Sequence, residues 1–175
     1  MIKIIILICA TVFLLVFSRR YLLHPRSYGF YRFFAFELTV IGILLNTGVW
    51  FKEPFSPLHL LSWFFLIISI IIVIAGYRLL RKIGKSIDNN FEHTTTLVVQ
   101  GIYRYIRHPM YSSLLFLALG IFFKQITPVN ALVLVLTTAA VYLTARAEER
   151  DDLQKFGASY RDYMQKSKML VPLVF

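Results

Sequence analysis

The stretch Gly101-Ile102-Tyr103-Arg104-Tyr105-Ile106-Arg107-His108-Pro109-Met110-Tyr111 opens the part of the chain that decides the fold. It leads into two apolar segments, and the second of these ends at Arg146-Ala147-Glu148-Glu149-Arg150. Ionisable side chains beside hydrocarbon-like runs are costly and commonly mark functional sites. We therefore expect the rest of the chain to form a membrane frame that holds these two polar stretches together.

The composition is that of a membrane protein, with 58% hydrophobic residues and a mean hydropathy of +0.66. Such values exceed those of soluble domains. Apolar segments lie at about 1–18, 33–51, 58–77, 110–123 and 129–145. The first is followed by Ser18-Arg19-Arg20 and by no small-residue cleavage site, so we favour a retained helix over a signal peptide. The sequence predicts an all-α integral membrane bundle of about five transmembrane helices. It forms one domain, 1–175, with an N-terminal helical hairpin over 1–57 and a core over 58–175.

The basic residues predict the orientation of the chain. All but three of the 19 lysines and arginines (Lys3, Lys52 and Lys124) lie in loops 19–32 and 78–109 or in the tail from 146. Five alternating crossings put these three regions on one face, and positively charged loops are cytoplasmic. We expect an external N-terminus, a cytoplasmic C-terminus and residence in the plasma (inner) membrane. The net charge of +10 is explained by this sidedness, not by nucleic acid binding.

The fourth segment is short, because fourteen helical residues span about 21 Å whereas the hydrocarbon core is about 30 Å thick. Either it includes the polar turn 124–127, or its cytoplasmic end begins in a recess below the membrane surface, which we favour. Small residues such as Ser112, Ala118 and Gly120 allow close helix packing. We predict a tight hairpin of helices four and five that returns Glu148 to the face of His108, followed by a cytoplasmic C-terminal helix.

Two groups in this region can carry chemistry. Pro109 fits the first turn of a helix, so His108 and the N–H groups after it form an N-terminus suited to a carboxylate. The alternative is a basic helix start that follows the positive-inside rule. Glu148 and Glu149 point about 100° apart on a helix, so one can face the bundle and hold a cation or ribose hydroxyls. The alternative is a solvated, charge-alternating helix.

Other polar and aromatic residues have simpler explanations. The tyrosines near the site form an interfacial belt or bind a sulfonium by cation–π attraction: Tyr103, Tyr105, Tyr111, Tyr160 and Tyr163. Glu37, inside the second apolar segment, can snorkel or pair with a loop arginine. Cys9, His24 and His59 have no partners at ligand spacing, so we predict no metal site.

A set of motifs in fixed order gives a more specific signal. They are Asn90-Phe91-Glu92-His93, Leu97-Val98, Gly101-x-Tyr103, Arg107-His108-Pro109-x-Tyr111, Glu148-Glu149, Phe156-Gly157, Tyr160, Tyr163 and Pro172. From about 75 to 175 the chain resembles the isoprenylcysteine carboxyl methyltransferase family, within the wider group that includes phospholipid methyltransferases. The resemblance makes 58–175 a methyltransferase-like core that uses S-adenosylmethionine on the cytoplasmic side. It implies cofactor contacts by His93, Leu97, Val98, Tyr103, His108, Pro109, Tyr111, Glu148 and Glu149.

The resemblance implies that the methyl acceptor is an isoprenylcysteine-type carboxylate or a related small lipophilic nucleophile. We expect this lipophilic small molecule or lipid to enter sideways between the helices, because so little of the chain projects into water. The expected reaction is an in-line displacement in which Arg107 aligns an ionised carboxylate or thiolate; an amine would need His108 or a glutamate as base. Two positions depart from the family pattern: Ser113 replaces a common glycine, and Thr144 replaces the arginine that faces the carboxylate in eukaryotic members. Arg104 and Arg146 are further candidates for that role. The alternatives are a phospholipid N-methyltransferase and a non-catalytic membrane scaffold.

Overall fold

The computed structural model describes residues 1–84 and 94–172, and every regular element in this part of the chain is helical. Six α-helices and one 3₁₀ turn follow one another: α1 Ile2–Leu22, α2 Tyr28–Asn46, α3 Pro57–Ile83, the 3₁₀ turn Gly101–Arg104, α4 Pro109–Phe122, α5 Pro128–Phe156 and α6 Ala158–Lys166. Four of the described helices (α1, α2, α3 and α5) are long and apolar enough to cross a membrane, and α4 is a shorter apolar helix. The predicted all-α, multi-pass membrane fold is confirmed.

Three helices differ from the predicted apolar segments by five residues or more at one or both ends, and one of them, α3, ends at Ile83 instead of 77. α2 covers Tyr28–Asn46 instead of 33–51, because the Ser27 hydroxyl caps it by accepting from the Phe30 N–H at 3.2 Å. α5 continues to Phe156, well past residue 145. An apolar segment of sequence ends where the chain leaves the hydrocarbon, whereas a helix continues until its backbone is capped. The longer α5 carries Glu148 and Glu149 on a regular helix beyond its apolar part.

α3 and α4 approach closely through small residues. Three positions on α3 meet three on α4, in the pairs Ser62–Gly120, Ser69–Ser113 and Gly76–Pro109. The two serine hydroxyls donate to the facing carbonyls at 2.6 and 2.7 Å. A Cβ on Gly76 would lie 3.1 Å from the Pro109 ring. Close backbone approach and hydroxyl bonds of this kind hold membrane helices together, so α3 fixes where α4 begins.

α2 and α5 form the other extensive pairing. The Asn46 and Asn130 side-chain amides are buried and bond to each other in both directions, at 3.2 and 3.0 Å. α4 and α5 are joined by the short turn 123–127 and pack together as predicted, although α4 packs more extensively against α3 and α5 against α2. Glu37 accepts from the Thr11 hydroxyl of α1 at 2.5 Å, so it pairs with a neighbouring helix instead of a loop arginine.

The segment after α6 returns to the start of α4 and pairs with it through the main chain. The Arg107 N–H donates to the Lys168 carbonyl at 2.8 Å, the Lys168 N–H to Tyr105 at 3.0 Å, and the His108 N–H to Met169 at 3.2 Å. α5 ends and α4 begins at this same end of the bundle. The two polar stretches singled out in the sequence therefore meet there.

Candidate functional site

His108 is held in place by the residue that follows it. Pro109 occupies the first turn of α4 and His108 is its N-cap, with φ −120° and ψ 65°, so the imidazole precedes the helix. The ring is buried and lies nearly parallel to that of Tyr111, with 5.6 Å between centroids. The first turn of α4 thus presents an imidazole and an aromatic face together.

Both glutamates reach this imidazole. His108 Nδ1 lies 3.6 Å from Glu148 Oε2, and His108 Nε2 lies 3.7 Å from Glu149 Oε1. The two carboxylates differ in environment, because the Glu148 side chain is 33% exposed and that of Glu149 only 3%. The prediction that a turn-back brings His108 and the paired acids together is confirmed.

Arg107 is engaged by the protein itself. Its Nε donates to Glu149 Oε1 at 2.7 Å, and its Nη1 donates to the carbonyls of Met164, at 3.2 Å, and Ser167. These bonds join α5, the end of α6 and the segment that follows. Arg107 therefore anchors Glu149 as well as lying beside the imidazole.

A cavity of about 310 Å³ opens beside these groups, at the lower end of the range for small-molecule sites. Eight of the residues singled out in the sequence line it: Leu97, Val98, Tyr103, Arg107, His108, Pro109, Tyr111 and Glu148. Tyr160 and Tyr163 line it as well. Asp152, one turn beyond Glu148 on α5, lies on the same wall. Asp152 was not singled out in the sequence, although its spacing of four residues from Glu148 was the available signal.

The other predicted residues are placed elsewhere. Glu149 lies behind the cavity wall and contacts His108 and Arg107. Arg104 and Arg146 are exposed and are not among the described residues that line the cavity. His93 lies outside the described residues. The catalytic role expected of Arg104 and Arg146 and the cofactor contact of His93 stay predictions.

Three buried polar atoms at this site have no hydrogen-bond partner within the described ranges: His108 Nε2, Glu149 Oε2 and Tyr160 Oη. Buried polar atoms in proteins are nearly always paired, so such a cluster is typical of a ligand site. Burial, followed by the nearby carboxylates Asp152, Glu149 and Glu148, raises the pKa of Tyr160 far above its ordinary value. Tyr160 is therefore a neutral phenol that can donate a hydrogen bond at any physiological pH.

Arg32 was missed as a site residue, because the sequence placed it in a loop. It lies in the first turns of α2, is 6% exposed and lines the cavity. Its guanidinium carbon lies 5.7, 5.6 and 5.4 Å from the ring centroids of Phe17, Tyr21 and Tyr28. Aromatic faces compensate for burial of a cation. Arg32 thus adds a positive charge to the wall formed by α1 and α2.

Comparison with known proteins gives the family. Residues 58–159 match the family described as phospholipid methyltransferase. The chain belongs to this family. The matched range begins at α3 and ends at the start of α6, so it contains the cavity residues from Val73 to Phe156 and leaves Arg32 outside. The resemblance inferred from the sequence motifs is confirmed.

A shorter stretch of the chain is similar to a second protein that is named as a methyltransferase. Over 74 residues the chain is 35% identical to methanethiol S-methyltransferase 2 of Bradyrhizobium diazoefficiens. The matched stretch is 42% of this chain and spans only 28% of that protein's length.

Proposed function

We propose that this protein is a membrane methyltransferase that uses S-adenosylmethionine and methylates a lipophilic nucleophile. The observation that carries the proposal is the meeting of His108 with Glu148 and Glu149 at a cavity whose walls hold two buried polar atoms, His108 Nε2 and Tyr160 Oη, that have no hydrogen-bond partner in the described part of the chain. Family membership supports the reaction class. The cavity is lined by residues that the motifs had indicated for the methyl donor.

The residues present fit such a donor. Glu148 and Asp152 offer carboxylates for hydroxyl or ammonium groups, and the first turn of α4 offers a positive dipole end for a carboxylate. Leu97 and Val98 offer an apolar wall, and the ring of Tyr111 an aromatic face for a sulfonium. When bound, the donor would supply an electrophilic methyl carbon: the acceptor nucleophile would bond to this carbon in line as the carbon–sulfur bond breaks, and S-adenosylhomocysteine would leave. The protein's contribution is to orient the two reactants and exclude water, and positioning of this kind lowers barriers by several kcal/mol.

The acceptor side of the cavity favours an apolar molecule with an anionic nucleophile. Phe17, Phe36 and Leu114 supply an apolar lining, and Arg32 supplies a cation beside it. An isoprenylcysteine-type carboxylate, or a related small lipophilic carboxylate or thiolate, has this combination. Thr144 is buried and donates to the Ala140 carbonyl at 2.7 Å, so no cation replaces the family arginine there. We assign alignment of the acceptor to Arg32, assisted by Arg107 from the donor side.

Two observations favour other acceptors. The family description favours phospholipid N-methylation, for which His108 is the nearest candidate base. The name of the matched bacterial relative, methanethiol S-methyltransferase 2, favours a thiol. An amine or a thiol acceptor could occupy the same cavity as a carboxylate. The methylated product therefore has to be identified to distinguish the three acceptors. A non-catalytic scaffold is the remaining alternative, and it predicts no methyl transfer at all.

We propose that the protein lies in the plasma membrane, with its N-terminus outside the cell and its C-terminus in the cytoplasm. This orientation is supported by the position of the site, which lies at the end of the bundle that carries most of the basic residues. A polar methyl donor would enter from this cytoplasmic side.

Isothermal titration of the detergent-purified protein with S-adenosylhomocysteine tests donor binding. Glu148→Ala is expected to weaken binding about 10- to 100-fold, because a hydrogen bond to a charged group contributes about 1.5–3 kcal/mol. Asp151→Ala is the matched control, since Asp151 is an exposed neighbouring acid that does not line the described cavity. A folded wild-type protein that binds no S-adenosylhomocysteine would refute the donor assignment.

The acceptor is identified by incubating membranes with radiolabelled donor and extracting the lipids. Label released by mild base indicates a carboxyl methyl ester, whereas base-stable label indicates an amine or a sulfur product. Mass spectrometry of the labelled compound separates those two. Donor binding without any labelled product would support the scaffold.

A further inference from the structure

A second concavity lies on the other side of Arg107 from the donor cavity. Its volume is about 770 Å³, and it is bounded by α5 on one side and by the segment after α6 on the other. Its lining includes Tyr105, Tyr142, Arg146, Lys166 and Lys168. We call this concavity the basic groove. Arg107 lines both the basic groove and the donor cavity.

The basic groove carries a net positive charge that the described residues lining it do not neutralise. Arg146, Lys166 and Lys168 are exposed, and no acidic residue is among the described residues that line it. Arg107 is compensated by Glu149, so it adds nothing to this excess. Three exposed cations around one concavity form a site for a phosphate group, and arginine and tyrosine supply hydrogen-bond donors to it.

One wall of the basic groove continues into the lipid-facing surface. Tyr142 and Arg146 lie one turn apart on the same face of α5. Two turns further into the apolar part of α5, Val135 lies on the same side and is 63% exposed. From the polar end of α5 inward, this side therefore presents an arginine, a tyrosine and then an exposed aliphatic side chain, which is the order of surfaces that a phospholipid meets from headgroup to acyl chain.

We propose that the basic groove binds the phosphate headgroup of an anionic phospholipid that is not the methyl acceptor. The acyl chains of this lipid lie along α5, and its phosphate contacts Lys166 and Lys168. The lipid headgroup does not reach the donor cavity, because Arg107 closes the wall between them through Glu149 and the carbonyls of Met164 and Ser167. The inference does not depend on the identity of the acceptor or on methyl transfer.

The occupied groove also supports the site next to it. The carbonyls that hold Arg107 belong to the stretch that carries Lys166 and Lys168. A phosphate that bridges the two lysines restrains this stretch and therefore the position of Arg107. Anionic lipid is expected to raise the midpoint of thermal unfolding, while phosphatidylcholine is not.

The experiment uses the full chain purified in a neutral detergent and supplied with dioleoylphosphatidylglycerol, dioleoylphosphatidylcholine or inorganic phosphate. Native mass spectrometry counts retained lipid, and thermal unfolding reports the midpoint. The double variant Lys166→Ala/Lys168→Ala is compared with Arg19→Ala/Arg20→Ala, which removes the same charge from exposed positions at the end of α1. Loss of two cations near an anionic lipid is expected to weaken retention about thirtyfold in the first variant only.

Retention of phosphatidylglycerol by wild type and by the Arg19/Arg20 variant, with loss in the Lys166/Lys168 variant, would establish the site. Equal loss in both variants would reduce it to a general attraction of the basic face and overturn the proposal. Equal retention of phosphatidylcholine would do the same. A midpoint raised as much by inorganic phosphate as by phosphatidylglycerol would assign the groove to a soluble phosphate instead of a lipid.

Discussion

Replacing Glu149 by alanine is expected to destabilise the protein strongly, whereas the same change at the adjacent Glu148 is expected to leave its stability nearly unchanged. The Arg107–Glu149 pair is buried, with side chains 8% and 3% exposed and a contact of 2.7 Å. Removing one partner of such a pair costs about 3–5 kcal/mol, because the other charge stays buried without compensation. Arg107 keeps its two carbonyl acceptors, so we expect about 3 kcal/mol, which for a chain of this size lowers the unfolding midpoint by about 6–12 °C.

Glu148 has a different environment. Its side chain is 33% exposed and its contact with His108 is 3.6 Å, so the pair resembles surface pairs that contribute about 0–1 kcal/mol. Glu148→Ala is therefore expected to keep the wild-type midpoint and to weaken S-adenosylhomocysteine binding as stated above. The two variants differ by one position and separate stability from ligand binding.

The assay is thermal unfolding of the detergent-purified variants, followed by far-ultraviolet circular dichroism. The double variant Arg107→Met/Glu149→Met serves as a control, because replacing both charges by apolar side chains is expected to recover most of the lost stability. Equal midpoints for Glu149→Ala and Glu148→Ala would refute the reasoning. So would a double variant that is less stable than Glu149→Ala.

Three further predictions concern the frame around the site. Gly76→Val is expected to displace the start of α4 and to weaken S-adenosylhomocysteine binding in titration, because even a Cβ would lie 3.1 Å from the Pro109 ring. Asn46→Leu leaves the buried Asn130 amide without its partner and is expected to cost about 0.6–2 kcal/mol in denaturant unfolding. Tyr163→Phe removes a hydroxyl that donates to a carbonyl in the 3₁₀ turn and is expected to cost about 0.5–1.5 kcal/mol by thermal unfolding, without changing the pH profile of activity. An unchanged affinity in Gly76→Val would contradict the first prediction, and an unchanged unfolding free energy in Asn46→Leu the second. A shifted pH profile in Tyr163→Phe would contradict the third.

Tyr163 has no effect on the expected pH profile because it does not ionise in the working range. Burial raises its pKa far above the ordinary value for a phenol. Burial, together with the charge of Glu148, does the same for Tyr103. Both side chains are therefore neutral wherever the protein is folded.

The sequence predicted the helical class and the end of the bundle at which the site lies, because both follow from hydropathy and charge sidedness. It predicted the bounds of α4 to within one residue, but not those of α2 or the ends of α3 and α5. Arg32 was assigned to a loop because a cation is costly in hydrocarbon. In the structure it lies in α2, surrounded by the rings of Phe17 and Tyr21 from α1 and of Tyr28 from α2. Compensation of this kind depends on tertiary contacts and leaves no local signal.

The sequence predicted which residue types form the candidate site, but not which of these side chains contact one another. Adjacent glutamates predict that one faces inward, but only the packing of α5 decides that Glu149 is buried against Arg107 and Glu148 borders the cavity. The contribution of residues 167–170 was missed altogether. Their main-chain carbonyls hold Arg107, His108 and Ser112, and bonds to the main chain require no particular side-chain pattern.

This main-chain pairing explains how a short helix can present a precise site at a membrane surface. α4 has fourteen residues, too few to be fixed by spanning the bilayer. Its start is held from one side by Gly76 of α3 and from the other by residues 167–170, and the buried bond of Arg107 to Glu149 ties both to α5. The imidazole of His108 is thus positioned by three separate parts of the chain. Loosening any one of them is expected to disturb the geometry of the cavity before it unfolds the bundle, because the pairings of α3 with α4 and of α2 with α5 lie mostly away from it.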